Sequence, residues 1–265
     1  MRRFLLRKSS FVDFPGCISS VFFFSGCNLR CPWCHNGDLL KAPPEDLVDI
    51  EVCLAHIRKR RSVLGGVVLS GGEPCLYDGL DDLIAEIKKL SLSVKLDTNG
   101  MFPDVLNRLF GREETRPDYI ALDLKLAPAR YRGLLAGNSG LAGEGGLAGE
   151  PGFDPGEALI QSAALVRSSG ITHEFRSLAL PSVLGPAGAS GGHAGGHADG
   201  FFSLKDIEAL APLVGGSPWI LRPFRGGNCL DPAWDSFEEN AGEASARAGR
   251  LAAKARELHI SLLTK

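Results

Sequence analysis

The chain contains no apolar run approaching the ~18 residues that a membrane-spanning helix requires. Its longest candidate, Ile18 to Phe24, has the length of a strand. It also lacks a charge excess of either sign: 29 Lys and Arg stand against 31 Asp and Glu, a formal charge of −2. No basic field is therefore present to hold a nucleic-acid backbone, and neither nucleic acid nor a membrane is the expected partner. The opening residues Met1 to Lys8 carry too short an apolar run for a signal peptide, so the expected setting is cytoplasmic, with reduced thiols. A second C-x2-C is missing as well, and Cys17, Cys53, Cys75 and Cys229 are scattered, which reads as small buried hydrophobes.

The remaining three cysteines are close together. Cys27, Cys31 and Cys34 fall within Phe24-Ser-Gly-Cys-Asn-Leu-Arg-Cys-Pro-Trp-Cys-His-Asn36, a C-x3-C-x2-C spacing. One loop of that spacing can wrap three thiolates around a cuboidal iron–sulfur cluster, whose full ligation would take a fourth cysteine. One iron then stays open to a small molecule. A structural zinc site would need a fourth ligand, and His35, adjacent to Cys34, is poorly placed to close a tetrahedron. A disulfide with a spare thiol would suit a secreted chain better.

Strand-sized apolar runs alternate with amphipathic stretches, the pattern of βα units around a parallel sheet. Strands are expected at Ile18–Phe24, Gly66–Leu69, Ser93–Leu96, Tyr119–Leu122, Thr172–Leu178 and Trp219–Pro223. Helices are expected at Leu47–Arg61, Leu80–Leu90, Pro103–Phe110, Pro155–Ser168 and Leu204–Leu213, with another over Ala241–Leu258 and a last strand or tail at Ile260–Leu263. The expected fold is α/β, a partial (β/α)6 TIM-type barrel of parallel strands with outer helices, forming one domain over 1–265. Two glycine-rich stretches, near 133–152 and 185–200, read as flexible insertions, and His193 and His197 within the second as solvated loop residues.

Polar signatures follow the strands directly: the cysteine loop, Ser70-Gly-Gly-Glu-Pro74, Asp97-Thr-Asn-Gly100, then Asp123 with Lys125, and Arg176 inside the fifth strand. In such barrels chemistry collects at the carboxyl ends of strands. One pocket can gather all five.

The three cysteines with an aromatic before the last, followed by Gly71-Gly72-Glu73, resemble the radical S-adenosylmethionine superfamily. Asp13-Phe-Pro-Gly16, Cys34-His-Asn36, Lys95-Leu-Asp-Thr-Asn-Gly100, Leu122-Asp-Leu-Lys125 and the late segment Phe224 to Asp231 resemble, more narrowly, the glycyl-radical-enzyme activases. Among these the resemblance is greatest to activating proteins of anaerobic ribonucleotide reductase, with pyruvate formate-lyase activating enzyme related. It implies a 4Fe-4S cluster held by Cys27, Cys31 and Cys34, with S-adenosylmethionine as second cofactor. The open iron would take the methionyl amine and carboxylate, and reductive cleavage would yield a radical able to abstract a glycine α-hydrogen.

The same resemblance assigns Gly71, Gly72 and Glu73 to the methionyl group, Glu73 to its amine. Asp97, Thr98 and Asp123 would hold a monovalent cation near the cofactor carboxylate. Lys125 and Arg176 would place positive charge against that carboxylate and serve catalysis. The implied partners are a glycyl-radical enzyme, an anaerobic ribonucleotide reductase, and flavodoxin or ferredoxin as reductant. Trp33 and His35 are given no catalytic role. Arg225 is a candidate only, because a late histidine of pyruvate formate-lyase activating enzyme is absent from Pro223-Phe-Arg-Gly226. Two other readings stay open: a radical S-adenosylmethionine enzyme acting on a small molecule or peptide, and a cluster-bearing electron carrier, against which the Gly-Gly-Glu element speaks.

Overall fold

The computed structural model of the chain describes residues 3–41, 45, 47–135, 152–181, 201–234 and 241–264. The two glycine-rich stretches, apart from 133–135 and 152, and both His193 and His197 lie outside the described residues.

Short β-branched and aromatic runs form the strands. One eight-stranded sheet runs in chain order through β1 (Phe4–Ser10), β2 (Ser19–Phe24), β3 (Gly66–Gly71), β4 (Ser93–Thr98), β5 (Tyr119–Asp123), β6 (Thr172–Ala179), β7 (Trp219–Pro223) and β8 (Leu263–Thr264). Strands β2 to β8 are mutually parallel, and β1 pairs antiparallel with β2. The six central strands coincide with the six expected, and the sheet order has β1 and β8 at its two ends, as in a partial barrel. The edge strand β1 is an addition. In Phe4-Leu-Leu-Arg-Lys-Ser-Ser10 only the two end residues are buried and Arg7, Lys8 and Ser9 are exposed in succession, so its apolar pattern is short.

The helices are α1 (Gly37–Lys41), α2 (Ile50–Arg60), α3 (Leu80–Lys89), α4 (Pro103–Phe110), α5 (Pro155–Ser168), α6 (Leu204–Val214) and α7 (Ala241–Glu257). Each of α3 to α7 joins two consecutive parallel strands. In α3 the buried Leu80, Leu83, Ile84 and Ile87 repeat at helical spacing and face the sheet. The Asp154 side chain accepts from the Gly156 and Glu157 amides to start α5, with Pro155 at its first position. A capping box of Ser203 and Asp206 starts α6, and Gly215, at φ +57°, ends it.

Register decides where the loops emerge. Phe24 pairs with Gly71, Thr98 with Leu122, Asp123 with Arg176, and Ala179 with Pro223, so the carboxyl ends of β2 to β7 share one rim. Toward the opposite end Phe14, Val21 and Val68 form a separate apolar plug, with Phe23 and Tyr119 against it.

Candidate active site at the barrel rim

The cysteine loop leaves β2 through Gly26, at φ +88°, and is clamped from two sides. On one side the Arg30 amide donates to the Leu134 carbonyl at 2.7 Å, and Leu29 bridges Leu135. On the other, the segment after β7 crosses it: the Asp231 amide donates to the Pro32 carbonyl at 2.9 Å, and Gly37 lies so close to Leu230 that a Cβ would meet its Cα at 2.9 Å. Trp33 is buried and packs edge-on to Phe201 and tilted against Trp234. His35 sits beside Phe224, its Nδ1 3.4 Å from the Gly227 carbonyl oxygen. Arg225 is exposed.

Cys27, Cys31 and Cys34 line one cavity of about 190 Å³ together with Gly71, Gly72, Asp97, Thr98, Asn99, Asp123, Lys125 and Leu178. The rim thus gathers nine of the eleven expected site residues around one cavity, and the other two, Glu73 and Arg176, are hydrogen-bonded to its lining residues Asn99 and Asp123.

Glu73, expected at the cofactor amine, points its side chain into the protein. Its side chain is fully buried, accepting from Thr98 Oγ1 at 2.8 Å, from the Cys75 amide at 3.0 Å and from the Asn99 amide at 2.8 Å. Burial raises its carboxyl above the ordinary value, and these three donors counter the rise. The carboxylate therefore ties the turn after β3 to the end of β4. The two glycines also have an internal cause. Gly71 adopts φ +108°, and a Cβ on Gly72 would lie 1.8 Å from the Gly26 carbonyl oxygen. Their bareness lets the β3 turn press against the entry to the cysteine loop.

The rim charges form a connected set. Arg176 spans both acids, Nε to Asp123 Oδ1 at 2.7 Å and Nη1 to Asp97 Oδ2 at 3.2 Å. Lys125 Nζ donates to Asp123 Oδ2 at 2.8 Å, Lys95 Nζ to Asp97 Oδ1, and Ser70 Oγ to Asp97 Oδ2 at 3.0 Å. Burial alone would raise both carboxyls; the charge of Arg176, with Lys125 beside Asp123 and Lys95 beside Asp97, outweighs it and holds both below the usual carboxylate range. Burial likewise opposes the charge on Lys125, and Asp123 overcomes it, so the ammonium is held above its ordinary value. Every oxygen of the two acids already receives a donor, and Thr98 turns to Glu73. The expected monovalent-cation site does not fit this donor set, because the Arg176 guanidinium occupies the position between the acids.

The thiols do fit a cluster. The seven cysteines are all thiols, and among the described residues no three His, Cys, Asp or Glu side chains converge as ligands of a single metal ion. Three sulfurs distributed around a cavity suit a group that presents its irons at separate corners. Burial, with Glu73 next, pushes Cys27 up to about 12, and burial pushes Cys31 up as well, while Lys125 pulls both down. Buried thiols of this kind ionise only when a cationic group takes the place of the proton.

The quoted motifs contain Asn28, Asn36 and Asn99 but assign none of them a role. Asn36 Nδ2 donates to the Gly71 carbonyl at 2.9 Å, joining the cysteine loop to the glycine turn. Asn99 Nδ2 donates to Asn28 Oδ1 at 2.8 Å and lies 3.7 Å from Cys27 Sγ. Their signal was adjacency: each stands next to a residue already singled out.

Comparison with known proteins agrees with this geometry. Residues 21–141 match the Radical SAM superfamily. A Methanocaldococcus jannaschii protein named for glycyl-radical enzyme activation is 32% identical over 130 residues, covering 46% of this chain and 50% of that protein. Pyruvate formate-lyase-activating enzyme of Staphylococcus aureus is 36% identical over 123 residues, covering 43% and 49%. The chain spans about half the length of these curated relatives. The crystal structure of Streptococcus suis SuiB bound to S-adenosylmethionine superposes with a TM-score of 0.58 at 12% identity, over 91% of this chain and 48% of that one, a likeness of fold. The three cysteines, both glycines, Asp97, Asp123 and Lys125 all fall inside the segment that matches the Radical SAM superfamily.

Proposed function

We propose that the chain is a glycyl-radical-enzyme activase, which reductively cleaves S-adenosylmethionine at a 4Fe-4S cluster and installs a glycyl radical on a partner enzyme. The single observation that carries the reading is the shared cavity of Cys27, Cys31 and Cys34 with the Gly71-Gly72 backbone and the Lys125 ammonium. Names of the relatives support it. The motif resemblance, taken along the whole chain, favours an anaerobic ribonucleotide reductase as partner, with flavodoxin or ferredoxin as reductant in a reducing cytoplasm.

A 4Fe-4S cluster held by Cys27, Cys31 and Cys34 would supply the one-electron reducing chemistry for homolytic cleavage of S-adenosylmethionine and, through it, hydrogen abstraction from the partner's glycine. This chain's residues bind, orient and exclude water. Cys27, Cys31 and Cys34 ligate. Lys125, charged and facing the cavity, offers its ammonium to a ligand carboxylate, while the Tyr131 hydroxyl accepts from its backbone amide at 2.7 Å and fixes it. Arg176 holds Asp97 and Asp123 and acts as a positioning residue. Trp33 and Leu178 wall the cavity against solvent.

The chain would be reconstituted anaerobically with iron and sulfide, reduced, and given S-adenosylmethionine with an anaerobic ribonucleotide reductase. The expected result is a glycyl radical signal on the partner that is absent with Cys31→Ala. Cofactor cleavage with no radical on any glycyl-radical enzyme tried would favour a small-molecule or peptide substrate instead. A full cluster with no cleavage under strong reductant would leave an electron carrier.

A further inference from the structure

The Asn28–Asn99 pair has no part in the ligation just described, yet it sits against a ligand sulfur. Asn99 follows Thr98 at the end of β4, and its backbone amide and both side-chain polar atoms are hydrogen-bonded. Its backbone amide donates to Glu73 Oε2 at 2.8 Å, and its Oδ1 accepts from the Met101 amide at 3.1 Å. The oxygen is thereby assigned, so the amide nitrogen faces the cysteine loop. One Nδ2 hydrogen goes to Asn28 Oδ1 at 2.8 Å, and the nitrogen is 3.7 Å from Cys27 Sγ, within range of an N–H···S bond. The Leu29 backbone amide adds a second donor to the same sulfur at 3.4 Å. Asn28 Nδ2, in turn, is buried and has no hydrogen-bond partner among the described residues. A buried orphan donor in a native chain calls for a group that accepts from it.

We propose that Asn99, held in place by Asn28, sets the reduction potential of the group bound at Cys27. The inference rests on the cluster reading above. Adding an electron makes a cluster more negative, and a donor aimed at a ligand sulfur stabilises that state more than the oxidised one, which raises the potential. Asn99 is thus a positioning residue: its hydrogen bond eases reduction by the one-electron donor without touching the substrate. Asn28 contributes by fixing the orientation of the Asn99 amide and by bringing a second donor into the loop.

The test is a redox titration of the reconstituted chain, followed by optical and EPR spectroscopy, with iron and sulfide content measured first. A native chain that assembles no cluster would sink the proposed function itself, separately from this inference. With the cluster assembled, Asn99→Ala is expected to lower the midpoint by about 59 mV, a tenfold drop in the reduced-to-oxidised ratio of a one-electron couple. Asn28→Ala, which leaves the Asn99 backbone contacts intact, is expected to shift it in the same direction by less. An unchanged midpoint in either variant overturns the proposal. So does a rise, since water entering a loosened site would stabilise the more negative cluster and move the potential upward.

Discussion

Single residues at the rim serve the chain before they serve a ligand. Gly71 and Gly72 stand out in the sequence as bare backbone suited to a cofactor, and the structure adds that the backbone they admit is the chain's own, at Phe24 and Gly26. A methyl group on Gly72 collides with a carbonyl oxygen that has no rotamer by which to escape. Gly72→Ala is therefore expected to lower unfolding free energy by about 3 kcal/mol, as overpacking does, and to cut iron incorporation. Urea unfolding decides it: a change within about 0.5 kcal/mol, the range of an inert surface site, would mean the turn shifts freely. Glu73 teaches a related point. Its place after two glycines was legible, but the direction of its side chain depends on the Asn99 and Cys75 amides, which belong to two different loops.

Elements were legible wherever one short-range pattern decided them. Short, nearly continuous apolar runs bounded by turn residues marked β2 to β7, and Leu80, Leu83, Ile84 and Ile87 marked α3. The strand β1 escaped because an edge strand shows its pattern to one neighbour only. The start of α6 shows how an element is fastened beyond its cap. Asp206 is buried, accepts from the Ser203 amide and hydroxyl at 3.0 Å each, and reaches across to Arg130 at 2.8 Å and to the Ala127 amide at 2.9 Å. It thereby holds the loop after β5, which carries Lys125, against the helix. Ser203→Ala is expected to cost about 1 kcal/mol, the worth of a cap. Asp206→Ala is expected to cost about 3 kcal/mol or more, because it also breaks a largely buried ion pair. Equal losses in chemical denaturation would show that the reach to Ala127 and Arg130 contributes nothing.

Across the whole molecule, the barrel interior is ionic toward the rim and apolar toward the other end. Tyr119 donates to Glu174 at 3.0 Å, and Lys95, Asp97, Arg176, Asp123 and Lys125 follow in contact up to the cavity. Because Asp97 and Asp123 have lowered values, their contribution to stability is fully present above the ordinary Asp value of about 3.9 and is lost as pH falls through the lowered ones. Glu73, raised, has the opposite sign: its contribution is present at low pH and is lost as pH rises through its folded value. Arg176→Met isolates the two aspartates. At pH 7 it is expected to remove about 3–5 kcal/mol, as breaking a buried pair does, and its stability should fall less than that of the native chain between pH 5 and pH 3. Parallel acid profiles would show that Arg176 does not set those values.

The sequence by itself determined the cysteine spacing, the six central strands and the order of the motifs along them, since each rests on residues close together in the chain. Only the tertiary structure decided that Arg176 stands between Asp97 and Asp123, that Glu73 turns inward, and that Asn99 meets Cys27. Those pairings join residues 25 to 79 positions apart, and parallel register together with competition for buried donors, rather than any local pattern, selects among them.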